Sequence, residues 1–406
     1  MNRLGSVLIP YALAYLVCTI YRAINGILGP VLAVDLHLSA NALGFLTAVY
    51  LLGFGIMQIP LGFILDKFGP RRVQTLLFLI ATLGIFLFSI AESVWQLTVG
   101  RALIGIGMSA GLMAGFKAAA SWYSIERLPL VNGIILTAGG IGALLATIPA
   151  EIVIRNFGWR SLGYSLTILT LIVGLLIYGV TRDKKAEHQT EEPFSQQLKD
   201  FKEVLKSRVF IRFAPYFILM SSFIAIQGLW AGPWLHQAIG MSTTEVALYL
   251  SDIAIAMILG LLTAGIIASW LQKLNVSIIG LLILTGSLYI LLQLLIVSKV
   301  WPGSHVFWFL FGYFAQYGSL GYAYVSQSVP PHVIGRAVTA LNFALFIGAF
   351  VWQYMLGAII THWPKNELGF YPASAYQTSF YVLIACEMIC LGWFIGFKTP
   401  KSSSKE

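Results

Sequence analysis

Long apolar stretches alternate with short polar ones along the whole chain. Twelve of these stretches reach about 20 residues, the length that an α-helix needs to cross the hydrocarbon core of a bilayer. The pattern therefore predicts an all-α polytopic membrane protein with twelve transmembrane helices. The predicted spans are residues 8–34, 41–64, 73–91, 95–118, 129–153, 161–181, 210–237, 244–269, 276–298, 304–328, 333–361 and 375–397.

Composition agrees with this pattern, because 58% of the 406 residues are hydrophobic and only 10% are charged. Soluble proteins of this length are far less apolar. No cleavable signal peptide is evident, since the apolar stretch after Arg3 lacks a small-residue cleavage site before Arg22. The three cysteines all lie within predicted spans and indicate neither a disulfide framework nor a metal site.

The distribution of basic residues predicts the orientation in the membrane. If both termini are cytoplasmic, 19 of the 25 Lys and Arg residues lie on that side, four lie in outer loops, and Arg22 and Arg101 lie within spans. Cytoplasmic loops of membrane proteins carry such an excess of positive charge. The net charge of +9 therefore reflects topology, and nucleic acid is not an expected partner. Compact loops and short termini favour the bacterial inner membrane.

The stretch between the second and third predicted spans reads Gly-Phe-Ile-Leu-Asp-Lys-Phe-Gly-Pro-Arg-Arg and is expected to form a tight charged loop. It resembles the signature loop of the major facilitator superfamily, with Pro70 standing where the family more often has a basic residue. The matching residues are Gly62, Asp66, Lys67, Gly69, Arg71 and Arg72. Glycine at position 62 allows a neighbouring helix to approach closely, and the Asp66 carboxylate suits a helix N-terminus.

An internal repeat predicts two pseudo-symmetric six-helix halves. The sequence Gly29-Pro30-Val31-Leu32, followed by Ser39, recurs 203 residues later as Gly232-Pro233-Trp234-Leu235, followed by Ser242. The same offset carries Gly62 onto Gly265, while Gly133 and Gly335 pair at an offset of 202. The predicted units are an amino-terminal bundle (1–181), a cytoplasmic linker (182–209), a carboxy-terminal bundle (210–397) and a tail (398–406).

The linker contains apolar residues at helical spacing, namely Phe194, Leu198, Phe201 and Leu205. Lysines lie between them, so the pattern predicts an amphipathic helix on the inner membrane surface.

The second copy of the signature loop is degenerate, with Ser269 where the first copy has Asp66. The two halves are therefore not equivalent gates. The family resemblance implies that Asp66 caps the eleventh helix near Gly335 and Arg336 and holds the cytoplasmic side closed.

Charged residues within the spans are the first candidates for chemistry, because each is costly in a bilayer. Arg22 lies near the middle of the first span, flanked by Tyr21 and Asn25. The resemblance implies that the first, fourth, seventh and tenth helices line a central cavity. The guanidinium of Arg22 would then bind a carboxylate or phosphate, with a structural ion pair as the alternative.

Arg101 lies in Gly100-Arg101-Ala102-Leu103-Ile104-Gly105-Ile106-Gly107, which is similar to the arginine-glycine motif of the family's fourth helix. The resemblance implies a role in coupling or in holding an outer network, and a purely structural hydrogen-bonding role is equally open. Asp252, in the eighth span, is a candidate for proton exchange during transport, with an ion pair or polar lining as alternatives. For Glu387, in the twelfth span, a structural role is favoured.

The remaining polar candidates are uncharged side chains that suit directional hydrogen bonds in a polar cavity. They are Gln227, Trp230, Tyr313, Gln316, Tyr317, Asn342 and Gln353. Each of them can instead belong to the helix-packing core.

The family resemblance implies a secondary active transporter, and the sequence indicates no enzyme. It contains no phosphate-binding loop for ATP and no nucleophile-base or zinc motif. The expected substrate is a small polar metabolite, anionic or zwitterionic, such as an organic acid, amino acid or peptide-like compound. We expect alternating access, proton coupling, a monomer and no cofactor. The alternatives are a proton-driven exporter of drug-like or siderophore-like compounds and a non-transporting sensor on the same fold.

Overall fold

The predicted all-α polytopic architecture is confirmed. The computed structural model describes residues 4–124, 127–183, 194–300, 303–329, 333–367 and 369–397, and within these ranges the regular structure is helical. Ten helical runs in this described part of the chain are long and apolar enough to cross a membrane, and a shorter apolar helix covers Leu130–Leu145. The predicted tail, 398–406, lies outside the described residues.

The amino-terminal half begins with a short π-helix and continues with eight α-helices that make six spans. They are α1 (Ile9–Ala23), α2 (Asn25–Asp35), α3 (Ala40–Phe68), α4 (Pro70–Ser89), α5 (Val94–Met108), α6 (Gly111–Trp122), α7 (Leu128–Leu145) and α8 (Ile148–Val180). The pairs α1–α2 and α5–α6 each form one span. Helix α8 bends at Gly158, where φ is +79°, so that its first part completes the fifth span and the rest forms the sixth.

The carboxy-terminal half follows the linker helix α9 (Phe194–Lys206). Its α-helices are α10 (Arg208–Ala225), α11 (Ala231–Pro233), α12 (Thr243–Lys273), α13 (Ile278–Val297), α14 (His305–Ala315), α15 (Leu320–Ser328), α16 (Ile334–Ile360) and α17 (Ala373–Gly396). The seventh span is irregular, because π-helices at Ile226–Trp230 and Trp234–Ala238 flank α11. In the tenth span a 3₁₀ turn, Gln316–Ser319, joins α14 to α15.

The repeated serines start equivalent helices in the two halves. The Ser39 hydroxyl accepts a hydrogen bond from the Ala42 amide at 3.1 Å and caps α3. The Ser242 hydroxyl accepts from the Glu245 amide at 3.3 Å and caps α12. An N-cap satisfies one of the amide groups that a helix start leaves without a partner. The sequence repeat thus corresponds to a repeated helix start.

The turn between the second and third spans is shorter than predicted. The expected loop over residues 62–72 is wrong, because α3 continues to Phe68 and α4 begins at Pro70. Gly69 alone makes the turn, with φ of +79°, a conformation that favours glycine. Proline is favoured in the first turn of a helix, so Pro70 starts α4 without losing a hydrogen bond.

The linker helix packs on the bundle. Phe201 is buried, and its ring lies 6.2 Å from that of Phe343 in α16. One apolar residue of the predicted amphipathic helix therefore contacts protein. Residues 184–193 of the linker lie outside the described part of the chain.

Candidate functional site

The two halves pack backbone against backbone at one end of the bundle, which we call the Asp35 end. Helix α2 of the first span lies against the seventh span there, and a methyl group on Gly232 would overlap the carbonyl oxygen of Gly26. A Cβ on Gly29 would lie 2.5 Å from the Leu229 side chain. The glycine-proline segments recognised as a sequence repeat therefore meet each other across the two halves.

The second and eleventh spans make the same kind of contact. A Cβ on Gly44 would lie 2.7 Å from the carbonyl oxygen of Gln353, and one on Gly357 would lie 2.5 Å from that of Ala40. The buried indole of Trp230 donates to the same Gln353 carbonyl at 3.3 Å. Small residues allow this approach, which maximises dispersion contacts between membrane helices.

Hydrogen bonds from the loop after α16 reinforce this closure. The Asn41 amide donates to the Thr361 hydroxyl at 2.8 Å. The Ala40 amide donates to the Tyr371 hydroxyl at 3.2 Å. The Lys365 ammonium donates to the Leu38 carbonyl at 3.2 Å. These three bonds are among those that join the two halves at the Asp35 end.

Asp35 itself fixes the end of α2 to the start of the sixth span. Its carboxylate accepts from the Trp159 indole at 2.8 Å and from the Arg160 guanidinium at 3.1 Å. The Trp159 hydrogen bond is the largest of the effects that hold the pKa of Asp35 below its usual range, and the Arg160 charge adds to it.

The opposite end, which carries Gly69 and which we call the signature-loop end, is not packed in this way. A Cβ on any of four glycines there would meet no atom within 4 Å. They are the repeat pairs Gly62 with Gly265 and Gly133 with Gly335. The expectation that Gly62 permits close helix approach is therefore wrong for this conformation, because no neighbour lies against it. These glycines indicate that the two halves pack together at the Asp35 end, beside a cavity of about 420 Å³ lined by residues of both halves, and diverge at the signature-loop end.

Asp66 contacts a different partner from the one the family resemblance implied. It lies in the last turn of α3 and forms an ion pair with Lys117 of α6. Its side chain is 56% exposed, which indicates a solvated pair. The expected position against the N-terminus of the eleventh helix, near Gly335 and Arg336, is not the one adopted here, since the two halves diverge at the signature-loop end.

The other residues of the signature loop hold the turn itself. The Arg71 guanidinium donates twice to the Tyr178 carbonyl, at 2.9 and 2.6 Å, and its amide donates to Asp183 at 3.0 Å. The carboxylate of Asp183 fills the space beside Gly69, where a Cβ would lie 2.6 Å from it. The Lys67 ammonium lies over the rings of Phe63 and Phe68, and Arg72 is exposed.

Asp183 is a residue that sequence reasoning missed. Its sequence position, more than 100 residues after the loop it caps, gave no signal.

Arg22 lies near the closure, where Gly228 of the seventh span packs on its backbone carbonyl. Its side chain is half-buried, and its titratable neighbours are Tyr15, Cys18 and Tyr50. No carboxylate of the described residues forms an ion pair with it. The alternative of a structural ion pair thus finds no partner in the described ranges. A cation in this setting favours an anionic ligand.

Residues of the tenth and eleventh spans face this region from the other half. The Tyr322 hydroxyl donates to the Asn342 amide oxygen at 2.5 Å, and Tyr15 of the amino-terminal half is the titratable group with an electrostatic effect on Tyr322. Both Tyr322 and Asn342 are half-buried. We define the polar strip as Arg22, Tyr15, Tyr50, Tyr322 and Asn342. Both halves therefore contribute hydrogen-bonding groups to it.

Asn25 and Arg101 bind each other inside the amino-terminal half. The Arg101 guanidinium donates to the Asn25 side chain and lies over the Phe88 ring, 4.3 Å from its centroid. Arg101 is only 2% exposed. Tyr21 is also buried, near Arg101 and Thr170. Tyr21 and Asn25 thus group with Arg101, which also has Tyr50 of the polar strip as a neighbour.

The other predicted polar residues form two further groups. Gln227 and Trp230 are buried in the π-helix that contributes to the closure. Three hydroxyl groups form a hydrogen-bonded chain within the carboxy-terminal half. The Tyr313 hydroxyl lies 3.0 Å from that of Tyr317 and 2.8 Å from that of Thr263. Gln316 donates to the Gly312 carbonyl at 3.2 Å, inside its own helix.

Asp252 pairs with His305 at the start of α14, with 2.5 Å between Oδ2 and Nδ1. The ring of Tyr249 stacks on His305, with centroids 4.1 Å apart. Two residues earlier on the same helix, Leu250 contacts Gly26 of the other half. Positions two apart on a helix differ by about 200° in direction. Asp252 therefore faces away from the amino-terminal half.

Two pseudo-symmetric six-helix halves, packed at one end and separated at the other, frame a strip of polar groups around an arginine. A sequence profile described as the Major Facilitator Superfamily matches residues 11–353, more than half of the chain. The chain belongs to the Major Facilitator Superfamily. It is therefore a multi-pass membrane protein of a family of transporters, as the signature-loop resemblance indicated.

Among curated members of the superfamily, the chain is 24% identical over 371 residues to the nitrite extrusion protein of Bacillus subtilis. That alignment covers 83% of this chain and 91% of the relative. This chain is also 22% identical over 415 residues to a probable galactarate/D-glucarate transporter of Escherichia coli. That alignment covers 92% of this chain and 90% of the relative.

Solved structures of the superfamily have the same fold. The nucleoside transporter NupG superposes with a TM-score of 0.77 at 13% identity, covering 99% of this chain and all of the other. A D-xylose-proton symporter superposes with a TM-score of 0.73 at 16% identity, over the full length of both chains. These identities support the fold alone.

Proposed function

We propose that this chain is a secondary transporter of a small anionic metabolite, an organic acid or a related anion, and that Arg22 binds the anionic group. The observation that carries the proposal is the half-buried guanidinium of Arg22 without an ion-pair partner among the described residues. An unpaired charge at this depth costs about 2.5–3.5 kcal/mol even on the permissive insertion scale. An anionic substrate offsets that cost when it binds.

The chemistry around Arg22 supports the same proposal. A guanidinium donates two parallel hydrogen bonds to a carboxylate, and phenol hydroxyls can donate to its remaining lone pairs. Tyr50 has a hydroxyl without a partner among the described residues, and Tyr15 supplies a second hydroxyl beside Arg22. Two relatives, the nitrite extrusion protein and the probable galactarate/D-glucarate transporter, are also named for anionic compounds.

Alternating access is the proposed mechanism, with the present conformation open at the signature-loop end. The distribution of basic residues supports a cytoplasmic position for that end and for both termini, and hence an inward-open state. In the outward-open state the glycine contacts at the Asp35 end would separate, and Asp66 would exchange Lys117 for the start of α16. We further propose proton coupling, the bacterial inner membrane and a monomer.

Ligand-induced stabilisation of the purified protein tests this proposal. Thermal unfolding is followed with sodium galactarate, sodium nitrate, further carboxylates, and tetraphenylphosphonium as a lipophilic cation. A ligand at about 100 times its dissociation constant stabilises the folded state by about 2.7 kcal/mol. We expect an anion to stabilise wild type and to have no effect on Arg22→Gln.

Arg160→Gln is the matched control, because Arg160 is an arginine already paired with Asp35. It removes the same charge and should keep the anion response. Stabilisation by the lipophilic cation alone, equal in wild type and Arg22→Gln, would contradict the proposal and favour an exporter.

A further inference from the structure

The carboxyl group of Glu387 is buried in the core of the carboxy-terminal half. The residue lies near the middle of α17 and is 0% exposed. Among the described residues, no Lys, Arg or His forms an ion pair with it. The proposed anion site does not use it, since Glu387 belongs to the interior of one half.

Polar side chains from three spans meet at this carboxyl group. The Gln293 side-chain amide of α13 donates to Glu387 Oε2 at 2.7 Å. Ser222 of α10 is also adjacent, and its hydroxyl lies 2.8 Å from that of Tyr289. Two acceptor atoms remain without a partner, Glu387 Oε1 and Gln293 Oε1. The cluster therefore holds more acceptors than donors.

An added proton corrects this imbalance. An ionised carboxylate buried without a counter-charge costs several kcal/mol, whereas a neutral carboxylic acid costs far less. The neutral acid also has one O–H donor, which suits the unpartnered Gln293 oxygen. We propose that Glu387 is a proton-binding site, held by Gln293, Ser222 and Tyr289 inside the carboxy-terminal half.

No other charge among the described residues replaces that proton. The titratable side chains on α17 and on the elements packed against it are distant along their helices, exposed, bonded elsewhere or neutral. They are Arg208, at the start of α10; Arg212, bonded to the Phe394 carbonyl; Tyr216, bonded to the Leu282 carbonyl; His236, bonded to the Met241 carbonyl; Tyr289; Arg336, in the first turn of α16; the exposed Tyr354; and, on α17 itself, Tyr376, bonded to Gln237, the exposed Tyr381, Cys386 and Cys390.

A small cavity of about 10 Å³ lies beside the cluster, and Gln293 and Trp234 are among its lining residues. The Trp234 indole N–H has no partner among the described residues. Ser222 lies one turn before Ile226, where the seventh span becomes a π-helix. The proposed proton site therefore lies beside the seventh span, which packs against α2.

Infrared spectroscopy of the purified protein in lipid nanodiscs tests the proposal without a ligand. The C=O stretch of a protonated carboxyl group is compared between wild type and Glu387→Gln at pH 7. We expect a band in wild type that shifts in D₂O and is lost in the variant. Glu151→Gln is the control, because Glu151 is buried but lies 3.7 Å from Arg155, and it should keep the band. A band unchanged by Glu387→Gln would overturn the proposal.

A pH titration of the Glu151→Gln variant, which retains Glu387, keeps the test valid if Glu387→Gln does not fold. Raising the pH to 10 in the Glu151→Gln background should remove the band and lower the thermal stability together, because ionisation creates an unpaired buried charge. Absence of any protonated-carboxyl band at pH 7 would overturn the proposal. The proton site does not depend on the proposed anion transport, so each can fail while the other stands.

Discussion

The closure at the Asp35 end predicts that one added methyl group shifts the conformational equilibrium. In Gly44→Ala the new Cβ would lie 2.7 Å from the Gln353 carbonyl oxygen and 3.1 Å from the Trp230 ring. The carbonyl belongs to the backbone of α16, which cannot rotate away as a side chain would. The second and eleventh spans must therefore separate.

The size of the effect follows from the geometry. Carbon-to-carbonyl contacts between helices are about 3.3–3.6 Å, so the two helices must move apart by about 0.6 Å or more. Overpacking of this kind costs about 1–3 kcal/mol. The gain in helix propensity from glycine to alanine, about 1 kcal/mol, applies to both conformations and does not change their ratio. With about 1.4 kcal/mol per factor of ten, the closed state loses about 5- to 150-fold in relative population.

Distance measurements between spin labels provide the assay. Labels are placed at Val34, which is 63% exposed at the end of α2, and at His362, which is exposed just after α16, with the native cysteines replaced. Gly44→Ala should add a longer distance to the distribution. Gly392→Ala is the matched control, since a Cβ there would meet nothing within 4 Å. Identical distributions in the two variants would refute the argument that glycine packing closes this end.

Two predictions concern ion pairs near the membrane surfaces. Asp35→Asn should lower thermal stability at pH 7 by about 1 kcal/mol or less, because the pair with Arg160 is half-exposed. The Trp159 hydrogen bond is the largest of the effects that lower the pKa of Asp35 in the folded state. The contribution of Asp35 to stability is therefore fully present above the unfolded-state pKa of about 3.9, and it is lost as the pH falls through the folded-state pKa. A difference from wild type that does not shrink as the pH falls below about 3.9 would contradict this. Asp66→Asn should change the thermal stability by less than about 1 kcal/mol, because its pair with Lys117 is also solvated; a larger loss would mean that the pair holds the bundle together.

The sequence predicted the features that depend on local pattern. Apolar length indicated the twelve spans, and the Gly-Pro repeat with its following serine indicated the pseudo-symmetry. In the structure the repeated serines cap equivalent helices, and the Gly29 and Gly232 segments meet each other. These features follow from helix length, capping and residue size, which are all readable from short stretches.

Pairings between distant parts of the chain could not be read in the same way. Arg101 binds Asn25 across 76 positions, and Asp183 caps the turn at Gly69 from 112 positions beyond Arg71. A single sequence contains no signal for such pairs. The direction of Asp252, away from the other half, depends on the rotation of α12 about its axis. The separation of the halves at the signature-loop end is harder still to predict, because under the proposed alternating access one sequence supports two conformations.

Flux in proteoliposomes tests the central claim most directly. The protein is reconstituted in vesicles that are loaded with the anion that stabilises wild type. Exchange of this internal anion against external radiolabelled anion is then measured for wild type, Arg22→Gln and Arg160→Gln. The account predicts exchange by wild type and Arg160→Gln and at least a tenfold slower exchange by Arg22→Gln, about 1.4 kcal/mol or more of lost binding. Binding without exchange in wild type would contradict the carrier and indicate a sensor, and exchange by Arg22→Gln at the wild-type rate would remove Arg22 from the site.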